Sequence, residues 1–277
     1  MKPAPFEYVR PATVGEAIGA LAADENAKLI AGGQSLVPLM ALRLARPSVL
    51  VDVADLGLEV FAVDDGELRI GAAVTHRRLE RDATVAERMP LLREAVALIG
   101  YPAIRVRGTV GGSLAHADPV AELPAVLVAA RGSVIVHGPR GARTVAAPEL
   151  FEGFLTTSIE PDEVLVEVRV PLPGDRHGAA FCEWSPRAGD FATAGIAVIV
   201  ERSESGECTA VRAAACGLAD VPDDCSDHFA GMIGARAPSD PLLRDLARRF
   251  GDHDLHGLLA ARALFRAASR SGETVAA

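Results

Sequence analysis

The sequence is poor in the residues that most often betray a function. Its four cysteines, Cys182, Cys208, Cys216 and Cys225, form no C-x-x-C pair and have no histidine at zinc-ligand spacing, which predicts free thiols and no metal site in this chain. An iron–sulfur cluster needs a closer set of thiolates, so any cluster working with this protein is expected on another polypeptide. Lysine is almost missing, with Lys2 and Lys28 alone, and the formal net charge is −9. No broad basic face is left to neutralise phosphates, which argues against nucleic acid and anionic membrane surfaces as partners. No apolar run approaches the ~18 residues of a membrane span. The opening MKPAPFEYVRP lacks the apolar segment of a secretion signal, so a cytoplasmic location without membrane insertion is expected. The seven histidines contain no H-x-x-x-H pair, and no G-x-S-x-G elbow occurs, which removes support for hydrolase readings.

What is present is an ordinary globular composition. With 277 residues, 49% of them hydrophobic, the chain can bury one large core or two to three small ones in close contact. From Phe6 to Val53 the pattern reads β-α-β-α-β: a strand at Phe6 to Val9, a helix opened by the Thr13/Glu16 capping box and running to Ala22, and a strand at Lys28 to Ala31. A helix then carries Leu36, Leu39, Met40 and Leu44 on one face, and Val49 to Val53 is an apolar strand. Next come Val60 to Val63 and Leu68 to Val74, joined at Asp65-Gly66, a hairpin signal. Helical patterns follow at Thr75 to Glu80 and at Leu91 to Ile99, the second stopped by Gly100. Ile104 to Val110 reads as extended, Ala121 to Ala130 as a helix, and Val134 to His137 and Val164 to Val170 as strands. Pro171-Leu172-Pro173-Gly174 marks a boundary. Beyond it, Ala192 to Glu201 and Cys208 to Leu218 pair around Ser205-Gly206, with helices near Asp227 to Ile233, Pro241 to Phe250 and Leu258 to Ala268. The last seven residues, from Ser271, read as a loose tail.

The informative feature is a pair of glycine turns, Ala31-Gly32-Gly33-Gln34-Ser35-Leu36 and Thr109-Val110-Gly111-Gly112-Ser113, both expected at strand exits. Small residues permit close backbone approach, and successive N–H groups in such turns form a concave anion site, helped in the first turn by the helix that follows. One Gly-Gly turn is commonly just a tight turn; two of like chemistry point to a diphosphate. Neither fits G-x-G-x-x-G or G-x-x-x-x-G-K-[ST], which argues against a dinucleotide Rossmann domain and a P-loop NTPase.

The residues also carry a resemblance. Ala31-Gly32-Gly33-Gln34-Ser35-Leu36-Val37-Pro38-Leu39-Met40 with Leu42-Arg43-Leu44-Ala45-Arg46-Pro47, and Thr109-Val110-Gly111-Gly112-Ser113-Leu114-Ala115-His116-Ala117-Asp118-Pro119, resemble the two FAD motifs of the medium subunit of carbon monoxide dehydrogenases and their xanthine dehydrogenase relatives. Phe6-Glu7-Tyr8 and Arg187-Ala188-Gly189-Asp190-Phe191-Ala192 extend the likeness over nearly the whole chain. The resemblance implies an α+β protein: a two-part FAD-binding domain of PCMH type, with a small α/β unit at residues 1–56 and a larger α+β unit at 57–173, followed by a C-terminal α+β domain at 174–277 with a small antiparallel sheet and helices.

It also implies an oxidoreductase subunit that holds FAD in the two turns, with Ala31, Gly32, Gly33, Gln34, Ser35, Leu36, Thr109, Val110, Gly111, Gly112 and Ser113 around the pyrophosphate. Glu122 falls where relatives place an acid near the ribose, though a helix-start glutamate favoured by the dipole reads the same way. Leu165 falls where an apolar wall meets the flavin ring, while by pattern it is a buried strand residue. Asp190 and Phe191 belong to the third-domain signature; Phe191 stacks near the isoalloxazine in this reading and lies in the core without it. Relatives carry a lysine near Cys182 or Glu183, which this chain lacks, and Ser113 replaces an asparagine. His116 reads as a structural loop histidine rather than a catalytic base. No catalytic residue is expected here. A large molybdenum-cofactor subunit and a small subunit with [2Fe–2S] clusters are the implied partners, in a dimer of heterotrimers. The chain would take electrons from the clusters and pass them to an external acceptor. A self-contained FAD-dependent reductase of related fold and a flavin-free scaffold are the alternatives.

Overall fold

A computed structural model of the chain describes residues 2–250 and 253–271. The first unit is a three-stranded parallel sheet with the strands in the order β1 (Glu7–Val9), β3 (Val49–Asp52), β2 (Lys28–Ile30). Parallel strands need crossovers, which α1 (Val14–Ala23) and the short α2 (Leu36–Ala41) supply. Thr13 accepts from the Glu16 N–H, and the Glu16 carboxylate reaches back to the Ala12 N–H, so one free donor of the helix start and the N–H just before the cap are satisfied together. Ala17, Leu21, Val51 and Val53 form the small core of this unit, and Val164 from far along the chain closes it.

The middle unit is an antiparallel sheet in the order β4 (Phe61–Asp64), β5 (Glu67–Gly71), β10 (Val164–Pro171), β6 (Ser133–Gly138), β7 (Gly141–Ala146). Asp65 and Gly66 both have positive φ, 47° and 75°, the conformation that lets a two-residue turn follow the twist of β4 and β5. Between β5 and β6 lie α3 (His76–Arg81), α4 (Ala83–Arg88), α5 (Pro90–Leu98), α6 (Pro102–Arg107), α7 (Val110–His116) and α8 (Glu122–Ala129). α9 (Ala147–Leu150) and the small pair β8 (Phe151–Gly153) and β9 (Thr156–Thr157) follow β7. β10 bulges between Leu165 and Glu167. The extra residue shifts the alternation, so that Leu165, Val168 and Val170 all face the large middle core while Val164 and Val166 face the first unit.

The last unit is the antiparallel sheet β11 (His177–Trp184), β12 (Ala194–Arg202), β13 (Cys208–Cys216), β14 (Asp223–Asp224), with a 3₁₀ segment Ser226–Met232, α10 (Asp240–Leu246) and the long α11 (Asp254–Arg270). Both faces of this sheet are buried, by period 2. Ala180, Cys182, Ile196 and Val198 meet α11, and Ala179, Phe181, Ala197 and Ile199 join the middle core. α11 offers the sheet a stripe including Ala260, Ala263 and Ala267 and comes very close, for a Cβ on Gly178 would lie 2.0 Å from the Ala267 carbonyl oxygen. The four cysteines are buried and unpaired.

Four expectations need correction. Ile104 to Val110 is not extended: Pro102, with φ preset for a first helical turn, starts α6, and Gly108 separates it from α7. The second glycine pair therefore lies in the first turn of α7, capped by Thr109, rather than at a strand exit. Leu44 does not share the face of α2, because Arg43 takes a left-handed φ of 58° and leaves Leu44 74% exposed. β5 stops at Gly71 rather than Val74, because the Ala72 N–H donates to Val166 at the β10 bulge. Phe191 is not a core residue, being 76% exposed. Of the final seven residues, all but Ser271 lie outside the described residues.

Candidate functional site

The two glycine turns, distant in sequence, meet in space. A Cβ on Gly32 would lie 1.9 Å from the Arg107 carbonyl oxygen and 2.9 Å from the Gly108 Cα. Only a residue without a side chain lets the first turn lie directly on the peptide that leads into the second. Gly33 has a φ of 73°, and this left-handed bend turns the chain toward α2. The Gln34 side-chain amide ties the bend by donating to the Gly32 carbonyl at 2.8 Å. Among the described residues the N–H groups of Gly33, Gln34, Ser35 and Leu36 donate to no internal acceptor. Four adjacent free donors beside a backbone surface kept bare by glycine suit an oxyanion-rich ligand such as a diphosphate.

The second turn is built differently. The Val110 N–H donates to Val74 O at 3.0 Å, Gly111 to Ala72 O at 2.9 Å and Ser113 to Thr109 O at 3.0 Å. The Gly112 N–H donates to the Thr109 hydroxyl oxygen at 3.1 Å. These amides are consumed inside the protein, so the turn offers a shape rather than a row of donors. Gly111 is buried because a Cβ there would meet Ala72 at 2.6 Å. Gly112 is exposed, and the half-buried Ser113 hydroxyl has no partner among the described residues. The cradle thus has an amide-donating wall at residues 33–36 and a rigid wall at 109–113 whose free polar groups among the described residues are the Thr109 N–H and the Ser113 hydroxyl.

Behind the second wall lies a clamp with no signature in the sequence. His76, the first residue of α3, is buried; its backbone N–H donates to Gly108 O at 2.9 Å, and its Nε2 lies 3.0 Å from Thr109 O. Burial pulls its pKa down to about 4, against the raising effect of the Thr109 bond, so the ring is neutral under ordinary conditions. One turn further along α3, Glu80 pairs with the buried Arg105 of α6 through Nε at 3.1 Å and Nη2 at 3.2 Å. Arg105 also donates to the carbonyls of Ile99 and Gly100 at the end of α5. Burial alone would raise Glu80, but the hydrogen bonds from Arg77 and Arg105 outweigh it and hold the carboxyl below its usual range.

The remaining expected site residues fall around this centre. Leu165 is 6% exposed and sits at the bulge of β10, next to Val166, whose carbonyl takes the Ala72 N–H; it is thus one layer behind Gly111. Gly189, Asp190 and Phe191 form a turn against Tyr101, the residue before α6, and a Cβ on Gly189 would meet the Tyr101 ring at 2.7 Å. The exposed ring of Phe191 therefore lies in the loop that packs on the edge leading to Gly108.

Glu122 opens α8 but is buried, and the nearby charges of Glu183 of β11 and Asp118 act on it. Burial raises both carboxyls, Glu122 to about 8 and Glu183 to about 7, with Asp118 adding to the shift of Glu122. Burial and like charge therefore disfavour ionising both carboxyls together. Glu122 therefore engages the C-terminal sheet rather than presenting a free carboxylate.

Among the described residues there is no group of three or more side chains able to hold a metal, and no helix long and apolar enough to cross a membrane. Residues 4–173 match the family described as the FAD binding domain in molybdopterin dehydrogenase. The chain is 43% identical over 229 residues to the 6-hydroxypseudooxynicotine dehydrogenase complex subunit alpha of Paenarthrobacter nicotinovorans, a match covering 82% of this chain and 77% of that protein. It is 38% identical to the carbon monoxide dehydrogenase medium chain of Afipia carboxidovorans, over 80% of this chain and 77% of the other. Among solved structures, carbon monoxide dehydrogenase from Hydrogenophaga pseudoflava lacking the Mo-pyranopterin moiety superposes with a TM-score of 0.91 at 35% identity, over 98% of this chain and 99% of the other. Quinoline 2-oxidoreductase from Pseudomonas putida 86 gives 0.91 at 33%, over 99% and 100%.

Proposed function

The chain belongs to the FAD-binding medium-subunit family of the molybdenum hydroxylases, and from that premise we propose that it is the electron-transfer flavoprotein of such a complex. In this reading it takes electrons from the [2Fe–2S] clusters of a small partner subunit and delivers them to an external acceptor. A large subunit carrying the molybdenum cofactor oxidises the substrate, the three subunits form a dimer of heterotrimers, and the complex works in the cytoplasm. The same reading divides the chain at residues 1–56, 57–173 and 174–277, with FAD held by the first two parts.

The observation that carries the proposal is the seating of Gly32 on the Arg107–Gly108 peptide, which joins the two turns into one cradle. The unpaired N–H groups at residues 33–36 and the Ser113 hydroxyl would hold the FAD diphosphate. Phe191 would cover the ring from the Tyr101 side, and Leu165 would support the cradle from within. When bound, FAD would supply the chemistry that links one-electron arrival to two-electron release. The protein contributes position and solvent control. The first test is the visible spectrum of the purified chain, alone and co-expressed with its genetic neighbours, with the released cofactor identified chromatographically. About one FAD per chain, reduced only when the [2Fe–2S] partner and a substrate of the large subunit are both present, is expected for a bound redox cofactor. A complex that turns over with this chain colourless would refute the proposal.

A further inference from the structure

His76 opens α3 directly behind the second glycine turn. The Thr109 carbonyl at 3.0 Å can only accept, so Nε2 carries the ring proton and Nδ1 presents a bare lone pair. That Nδ1 is buried with no partner among the described residues, an unfavourable state that a leucine of similar size would avoid. A side chain placed here for packing alone gains nothing from an orphaned nitrogen. The ring also presses on the turn from behind, since a Cβ on Gly108 would lie 2.9 Å from Nδ1. Gly108 in turn touches the space that a side chain at Gly32 would fill. Ring, Gly108 and Gly32 form one stack through both walls of the cradle. The turn from Ala72 to Thr75 completes the support: Ala72 and Val74 accept from Gly111 and Val110, and Thr75 bridges to Thr109.

We propose that His76 is a positioning residue for the flavin cradle: its Nε2–H, donated to the Thr109 carbonyl, sets the second glycine turn at the spacing from Gly32 that the cofactor's diphosphate requires. This rests on the reading that the two turns hold FAD. Because the Thr109 carbonyl also accepts the first helical bond of α7, from Ser113, losing the imidazole donor frees the carbonyl to swing and takes the Ser113 hydroxyl with it.

Two substitutions separate a donated hydrogen bond from simple space filling. His76→Gln keeps an N–H donor near the Nε2 position, whereas His76→Leu keeps bulk and loses the donor. The full-length chain is stripped of flavin and titrated with FAD by fluorescence quenching, and amide exchange at Val110 and Gly111 is followed in parallel. The leucine variant is expected to weaken FAD binding by about tenfold and to speed exchange at both amides, while the glutamine variant stays within about threefold of the parent. Equal binding by parent and leucine variant, with unchanged exchange, overturns the proposal. So does an equal loss in both variants accompanied by an equal fall in melting temperature of the FAD-free chain, which would make the ring a packing element. A parent chain that takes up no FAD either alone or within its complex would instead sink the functional reading. The exchange rates would still decide whether the imidazole donor sets the turn.

Discussion

At the scale of single residues, two side-chain identities in and beside the cradle follow from space and charge. A Cβ at Gly32 would enter the Arg107 carbonyl, which is backbone and cannot rotate away as a flexible side chain can. Gly32→Ala is therefore expected to push the turns apart and abolish measurable FAD retention. Gly19→Ala in α1, where nothing lies within 4 Å, should stabilise the chain by about 0.5–1 kcal/mol. Thermal melts and flavin content of the two variants check this, and a Gly32→Ala protein with a full complement of FAD would contradict it. The Glu122–Glu183 pair makes a second expectation. Both carboxyls are raised above the ordinary carboxylate range, chiefly by burial, so the folded state holds their protons more tightly than the unfolded chain. The pair's contribution is complete below the ordinary carboxylate value and is lost as pH rises through about 7 to 8. Glu122→Gln, which needs no proton to be neutral, should raise the melting temperature relative to the parent above pH 8 and change it little near pH 5.

At the scale of elements, the second wall of the cradle depends on how α3 is held to α6. The guanidinium of Arg105 is buried and is shared between Glu80 and the end of α5. Removing it leaves the Glu80 carboxylate with Arg77 alone in a poorly solvated place. Arg105→Met should cost about 3–5 kcal/mol in urea unfolding. The double variant with Glu80→Gln should recover a large part of that loss, because the uncompensated charge is gone. An additive double variant would show that the pair is not coupled. This clamp also explains what the sequence could not convey at this level. Thr13, Thr75 and Asp65-Gly66 announce their helix starts and hairpin because their signals are local, a side chain or a φ acting within a few positions. Ile104, Val106 and Val110 are β-branched and read as strand, yet Pro102 and the long-range grip on Arg105 make that stretch helical, so tertiary context overrides propensity.

At the scale of the whole molecule, the C-terminal sheet is not a separate appendage. Phe181, Ala197, Ile199, Ala214 and Cys216 belong to the same core as Leu68, Ile70 and Val168. The seam is further tied by Glu94 of α5, which accepts from the Phe181 N–H and pairs with Arg266 and Arg270 of α11. Cutting the chain after Pro173 would uncover the middle core on that side and should yield an aggregating product with little cooperative unfolding. A monomeric fragment melting sharply and retaining FAD would show the seam to be dispensable.

The same contrast runs through the whole protein. The sequence by itself determined the α+β class, the capped helices, the paired glycine turns and the family, because these rest on local propensity and on motifs whose residues are consecutive. Only the tertiary structure decided that Gly32 rests on Gly108, that the amides of the second turn are spent internally, that His76 and Arg105 stand behind it, and that Glu122 faces Glu183 and the C-terminal sheet. Each of those is a contact between positions far apart in the chain, and a close approach of that kind leaves no period and no spacing to read until packing has brought the segments together.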